Sequence, residues 1–149
     1  MTAGMVPTAF FSKTFDETVD LLVEARNYIA YEETADRSSM DPLTRLMLSC
    51  EATRMTARLA HVMSWLLFRK AVTAGEIGAE EGAAPAFRLG GHEACLSAGF
   101  AHGADFPPRF AELLERSRSL YVRISRLDAL IDGGATTRGA GDGGEERPI

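Results

Sequence analysis

The residues of this chain that could coordinate a metal ion are few and widely spaced. His92 and Cys95 form one close pair, and the other histidines and cysteine are His61, His102 and Cys50. Structural zinc sites generally take four ligands from two close pairs. Because a second close pair is missing, the sequence favours a polar loop with a partly buried thiol over a metal centre, and we expect neither a metal nor another cofactor.

The other patterns that could support catalysis are equally incomplete. Cys95 lies in a segment with no predicted secondary structure and Cys50 faces a predicted core, so neither thiol has the neighbouring base that activates a nucleophile. The carboxylate pairs at 32–33 and 80–81 fall at a helix end and in a loop, which is typical of solvated surface. The glycines near the C-terminus follow a helix, whereas a phosphate-binding loop precedes one. We therefore predict that the chain is not an enzyme.

A polar stripe interrupts the apolar pattern of the central predicted helix. Glu51, Arg54 and Arg58 follow one another at i, i+3 and i+7 and so share one side of that helix. Ion pairs within the helix and to its neighbours are the favoured interpretation, and a polar recognition surface remains the alternative. Trp65, further along, is expected to pack in the core rather than to bind a partner.

The central helix is predicted over residues 42–74. Asp41 supplies an N-cap oxygen, Pro42 suits the first turn, and Gly75 ends the helix. Such a helix is roughly 50 Å long. This helix has two apolar sides, and we expect other helices to cover it from two directions, as they cover the middle helix of a bundle. The first side comprises Leu43, Leu46, Met47, Cys50, Ala57, Ala60, Ser64, Leu67 and Ala71, and the second comprises Leu48, Met55, Leu59, Val62 and Leu66.

The helix before it is predicted to begin at Thr14 and to run to about Asp36. Thr14 and Glu17 have the spacing of a capping box. Residues 15–37 carry a net charge of −5 and residues 42–74 a net charge of +4. Opposite charges favour antiparallel pairing of these two helices.

The remainder of the chain contains one more helix. Residues 75–105 are predicted to form a loop with a short helical turn near 79–84, and a loop of this length is either mobile or functional. A third helix begins after Pro107-Pro108 and is expected to end at Gly133. We therefore predict an all-α, antiparallel three-helix bundle at 1–132, with a disordered Gly-rich tail at 133–149.

Composition limits the class of protein. The chain has 149 residues, a net charge of −5 and two cysteines. The acidic balance argues against nucleic acid as a partner. The scarcity of cysteine and the lack of a signal-like segment indicate the cytoplasm, and no apolar run reaches the roughly twenty residues that a membrane span requires. A small helical DNA-associated regulator remains the alternative, and it would use Arg54, Arg58, Arg116, Arg123 and Arg126.

The central helix carries a recognisable motif. Glu51, Arg54, Thr56, Arg58 and Leu59, with Ser64-Trp65-Leu66-Leu67 and Gly75-Glu76-Ile77 downstream, resemble the alphaproteobacterial family that includes the regulator of CtrA degradation. The first helix, around 15–28, and the last, around 120–128, are also similar to that family. The resemblance covers about residues 10–132, and the Gly- and Ala-rich stretch 78–104 departs from it.

The resemblance implies a three-helix bundle that forms a homodimer and has no enzymatic activity. Such a protein acts as an adaptor in cell-cycle-linked proteolysis, tethering protein substrates or companion regulators to the ClpXP protease. In physical terms, an adaptor raises the effective concentration of a substrate beside the protease.

Overall fold

The computed structural model describes residues 8–97, 99 and 105–139, and their regular structure is entirely helical. The predicted all-α class is confirmed. Three long helices are joined by shorter ones, in the order α1 Thr8–Tyr31, α2 Glu33–Ser38, α3 Pro42–Thr73, α4 Ala79–Gly82, the 3-10 turn Pro85–Phe87, α5 His92–Leu96 and α6 Pro108–Gly139.

Local sequence signals place both ends of α3. The Asp41 carboxylate accepts a hydrogen bond from the backbone N–H of Thr44 at 3.4 Å, and Pro42 occupies the first turn. At the other end Gly75 adopts a φ of +79°, a conformation that glycine reaches without the steric cost of a Cβ. The predicted central helix is therefore one unbroken element.

The start of α1 differs from the prediction. The helix begins at Thr8, so Thr14 lies inside it, where it is buried and its carbonyl accepts a hydrogen bond from the Thr18 hydroxyl. Glu17 bonds to Arg123 on α6 instead of closing a capping box. The helix also stops at Tyr31, and α2 forms a separate turn before α3.

Helix α1 runs antiparallel to α6, and ion pairs mark the register. Glu17 and Glu24 of α1 pair with Arg123 and Arg116, and Glu32, directly after α1, pairs with Arg109, so residue numbers fall along α6 as they rise along α1. The acidic charge of α1 is thus matched by arginines of α6. The expected ion pairing of α1 with α3 does not occur among the described residues.

Helices α3 and α6 run parallel. Arg58 bonds to Ser117 and Trp65 bonds to Asp128, so the numbers rise together along both helices. The predicted antiparallel arrangement therefore holds for α1 but not for this pair. Because parallel neighbours begin at the same end of the bundle, the chain between them has to travel back along its length.

That return is made by residues 78–97, which we term the strap. Its backbone accepts hydrogen bonds from α3 in reverse order, with Arg69 bonding near its start, at Gly82, and Arg58 near its end, at Cys95. The strap therefore lies in the groove between α3 and α6, antiparallel to both. A helical turn was predicted near 79–84, where α4 forms, but the 3-10 turn and α5 were not predicted.

The core lies between the three long helices. Helix α3 contributes the second of its predicted apolar sides, and α1 adds Tyr28, whose ring stacks on Phe110 of α6 at 5.5 Å between centroids. The buried apolar side chains of α3 are Leu48, Met55, Leu59, Val62, Trp65 and Leu66. The first predicted side is mostly exposed in the described chain, with Leu46 60% and Leu67 50% exposed, although Ala57 packs against the core. The second apolar side and the polar stripe of α3 thus pack against the rest of the chain, whereas most of the first apolar side does not.

Helix α6 begins at Pro108, as predicted, and continues through Gly139 rather than ending at Gly133. The division of the chain into a domain at 1–132 and a tail at 133–149 remains a prediction. Residues 140–149 lie outside the described residues, so a disordered tail there remains a prediction. None of the described helices is both long enough and apolar enough to cross a membrane.

Candidate functional site

The predicted polar stripe faces the strap. Glu51 is 2% exposed and Arg58 is 4% exposed. The Arg58 guanidinium donates from Nε to the Cys95 carbonyl at 3.0 Å and from Nη1 to the Ser117 hydroxyl at 3.4 Å. Burial lowers the pKa of this guanidinium, and the nearby Glu51 carboxylate opposes that shift. Arg58 therefore joins α3, α6 and the strap.

Arg54 completes the stripe at the edge of the groove. Its Nη1 pairs with the Glu51 carboxylate at 2.5 Å, and its Nε donates to the Ala94 carbonyl of α5 at 3.0 Å. Both arginines thus bond to carbonyls at the end of α5, where cations are favoured. These contacts are of the kind expected under the first of the two interpretations, and the role of the stripe remains a prediction.

A second buried network fixes the middle of the strap. The indole N–H of Trp65 donates to the Asp128 carboxylate at 2.9 Å, and Arg88 of the strap donates to the same carboxylate at 2.8 Å from Nε and 3.1 Å from Nη2. Arg88 also reaches the Asp128 carbonyl at 2.7 Å. Sequence reasoning missed this site, although an aspartate flanked by Leu127 and Ile131 on the apolar stripe of α6 was a usable signal.

The ionisation of Asp128 gives this network a pH dependence. Burial would raise its pKa, but the hydrogen bonds from Arg88 and Trp65 outweigh burial and hold the pKa below the usual 3.8. A carboxyl group with a lowered folded-state pKa stabilises the fold above its unfolded-state pKa, and this contribution is lost as the pH falls through the folded value. We therefore expect the difference in unfolding free energy between the wild type and Asp128→Asn to shrink below about pH 3.8, as measured by urea denaturation from pH 7 to pH 2.5. A difference in unfolding free energy that stays constant from pH 7 to pH 2.5 would contradict this expectation.

The candidate metal ligands do not form a metal site in the described part of the chain. Cys95 belongs to α5 and is fully buried, and burial raises the pKa of its thiol. His61 lies under the strap, so close to Gly91 that a Cβ there would meet its ring. No three histidine, cysteine or acidic side chains among the described residues are arranged to hold a metal ion. His102 lies outside those residues, and Cys50 is exposed rather than core-facing.

The other motif residues lie on opposite faces of α3. Leu59 is buried in the core, whereas Thr56 is exposed and its hydroxyl donates to the Ala52 carbonyl of its own helix at 2.9 Å. These two residues mark the buried and outward faces of α3.

The outward face of α3 carries no charge over more than twenty residues. The charged residues between Leu46 and Leu67 are those of the polar stripe: Arg54 and Arg58 bond to the strap, and Glu51 is buried and pairs with Arg54. Of the outward hydroxyls, those of Ser49 and Thr53 donate to carbonyls one turn earlier in α3. This face combines Leu46, Ser49, Cys50, Thr53, Ala60, Ser64 and Leu67. A surface of small side chains with internally bonded hydroxyls loses little hydration when another helix covers it.

Most arginines proposed for DNA contact already have intramolecular partners. Arg54 and Arg58 bond to the strap, and Arg116 and Arg123 make two-pronged ion pairs with Glu24 and Glu17. These hydrogen bonds raise the pKa of Arg116 and Arg123 and lower the pKa of both glutamates. The DNA alternative therefore gains no support from the fold.

Comparison with known proteins gives the chain a family. The model for a protein family of unknown function, DUF1465, matches residues 3–145. The chain belongs to the DUF1465 family. The crystal structure of RcdA from Caulobacter crescentus CB15 resembles this DUF1465 member with a TM-score of 0.67 and 28% sequence identity, over 85% of this chain and 93% of RcdA. The resemblance predicted from the central helix is confirmed. Comparison with curated protein sequences gives no match.

Proposed function

We propose that this DUF1465 protein is a non-enzymatic cytoplasmic adaptor of regulated proteolysis, which tethers protein substrates or companion regulators to a ClpXP-type protease. The observation that carries the proposal is the match to RcdA, a regulator of CtrA degradation, over most of both chains. The adaptor contributes no chemistry; holding a substrate beside the protease raises its effective concentration and therefore its rate of capture.

The described residues are consistent with a protein that works by contact. Their buried charged side chains, those of Glu51, Arg58, Arg69 and Asp128, bond to other parts of the chain or stack on an aromatic ring. Arg58, Arg69 and Asp128 make hydrogen bonds to the strap, so these charged groups have structural contacts within the chain. Among the surfaces that the described residues leave exposed are the outward face of α3 and the outer side of α6.

The direct test is a reconstituted degradation assay. ClpXP, a CtrA-type response regulator and companion regulators are mixed with and without this protein, and the rate of ATP-dependent substrate loss is measured. We expect the protein to accelerate degradation of the response regulator. Degradation of an unstructured substrate with its own protease tag should not change, since that substrate needs no tether. Equal rates for the response regulator with and without the protein would refute the adaptor proposal.

The proposed adaptor is a homodimer, and the outward face of α3 is its proposed contact. The face is free of charge from Leu46 to Leu67, and small residues such as Ala60 and Ser64 allow a second helix to approach closely. A symmetric pair of such faces buries apolar area on both chains without desolvating an ion.

A charge at the centre of this face should separate the dimer. Ala60→Glu is expected to give a species with the 16.1 kDa mass of one chain, where the unsubstituted protein has twice that mass. Light scattering coupled to size-exclusion chromatography measures this. Ala111→Glu, which adds the same charge at an exposed position of α6, is the control and should remain dimeric. Identical masses for the two variants would place the dimer contact elsewhere.

A further inference from the structure

The outer side of α6 has a basic character that is unusual for this acidic chain. Residues 116–127 include four arginines and no acidic residue. Two of the four, Arg116 and Arg123, are paired with glutamates of α1. Arg118 and Arg126 have neither an ion pair nor a hydrogen bond to any described residue. Two cations therefore remain available on this surface.

These two arginines border a shallow cleft. The cleft has a volume of about 340 Å³ and is lined by Glu115, Arg118, Ser119, Val122, Arg123 and Arg126. Arg118, Val122, Arg126 and Leu130 follow one another at four-residue intervals, so basic and apolar side chains alternate along one stripe of the helix. Leu130, at the end of the stripe, is 68% exposed.

From this arrangement we infer that the stripe Arg118-Val122-Arg126-Leu130 is a docking surface for an acidic peptide segment of a partner protein. The inference deepens the proposed function, because it gives the chemistry of a segment that the adaptor would hold. Eight helical residues separate the two guanidinium groups by about 12 Å. Two carboxylates four residues apart in an extended peptide are separated by about 13 Å, which matches that spacing.

The apolar members of the stripe select the same kind of ligand. An apolar side chain between the two carboxylates would lie over Val122, which lines the cleft and is midway between Arg118 and Arg126 in the sequence. Guanidinium groups bind carboxylates through charge-assisted hydrogen bonds, which are stronger than those between neutral groups.

Nucleic acid fits this surface less well than an acidic peptide. The neighbouring α1 carries exposed carboxylates, and the chain as a whole has a net charge of −5. A duplex carries a negative charge on every phosphate, and the carboxylates of α1 repel such charges over roughly 8 Å at physiological salt. A short peptide with two carboxylates brings fewer negative charges to this surface than a duplex does.

The test measures fluorescence anisotropy of a labelled 12-residue Gly/Ser peptide that carries two glutamates four residues apart with a leucine midway between them. Arg118→Glu/Arg126→Glu should bind it at least about tenfold more weakly than the unsubstituted protein. Lys13→Glu/Arg26→Glu is the matched control, because it changes the net charge equally at exposed positions of α1. This control should bind within about twofold of the unsubstituted protein, and Arg118→Ala/Arg126→Ala repeats the test without new charges.

Three outcomes would overturn the inference. The unsubstituted protein could fail to bind the peptide, both double variants could lose affinity equally, or a DNA duplex could displace the peptide more effectively than an unlabelled copy does. The peptide-binding assay contains no protease, so its result does not depend on the result of the degradation assay. Acceleration of proteolysis without peptide binding would leave the proposed function standing and remove this docking surface.

Discussion

Asp128→Ala is expected to lower the free energy of unfolding by about 3–5 kcal/mol, because removing one member of a buried charge pair leaves the other uncompensated. Without the carboxylate, the Arg88 guanidinium and the Trp65 indole N–H lose their shared acceptor. For a chain of this size the melting temperature should fall by roughly 10 °C. Urea denaturation and thermal melting followed by circular dichroism measure the two quantities.

The matched control removes a carboxylate from an exposed ion pair. The side chains of Glu17 and Arg123 are each 43% exposed, and pairs of this kind contribute about 0.2–1 kcal/mol. Glu17→Ala should therefore cost less than 1 kcal/mol, roughly. If Asp128→Ala and Glu17→Ala lowered the free energy of unfolding equally, the buried Asp128 network would stabilise the fold no more than an exposed ion pair does.

Arg58→Ala is expected to release the strap and to destabilise the fold by about 3 kcal/mol or more. The substitution leaves the Cys95 carbonyl and the Ser117 hydroxyl without their donor and Glu51 without a nearby buried cation. Trypsin reports on the strap directly, because Arg88 lies within it. Cleavage after Arg88 should be faster in the variant than in the unsubstituted protein, and the melting temperature should fall.

Arg54→Ala is the comparison for that prediction. Its side chain is 20% exposed and bonds to one strap carbonyl, so its removal should also lower the melting temperature, but by less than that of Arg58. An Arg58→Ala protein with normal melting and normal trypsin resistance that fails to support degradation would instead assign the stripe to partner recognition.

The sequence was sufficient where the determining contacts are local. Asp41, Pro42 and Gly75 set the ends of α3 because a cap and a positive-φ glycine act within a few residues of the helix end. The motif of the central helix was likewise readable, since it lies on one continuous element. The same local reasoning erred at Thr14 and Glu17, because Glu17 has a partner on α6 that capping-box spacing cannot reveal.

The strap shows where the sequence was insufficient. Its Gly- and Ala-rich composition has no helical period, and its position depends on carbonyl groups that accept hydrogen bonds from Arg54, Arg58 and Arg69. Every residue has a carbonyl group, so composition does not indicate which ones will be bound. The same limit hid Arg88 and Asp128, which are forty residues apart and meet only because α3 and α6 run parallel.

The sequence by itself determined the helical class, the extent of α3 and the likeness to the family of RcdA, because these depend on periodicity, capping and residue identity along one segment. Only the tertiary structure decided which apolar face of α3 is buried, which helix pairs with the acidic α1 and where the long connection lies. Those outcomes depend on the relative direction of helices, which is set by the total burial and hydrogen bonding of the folded chain and is not encoded in any single stretch of it.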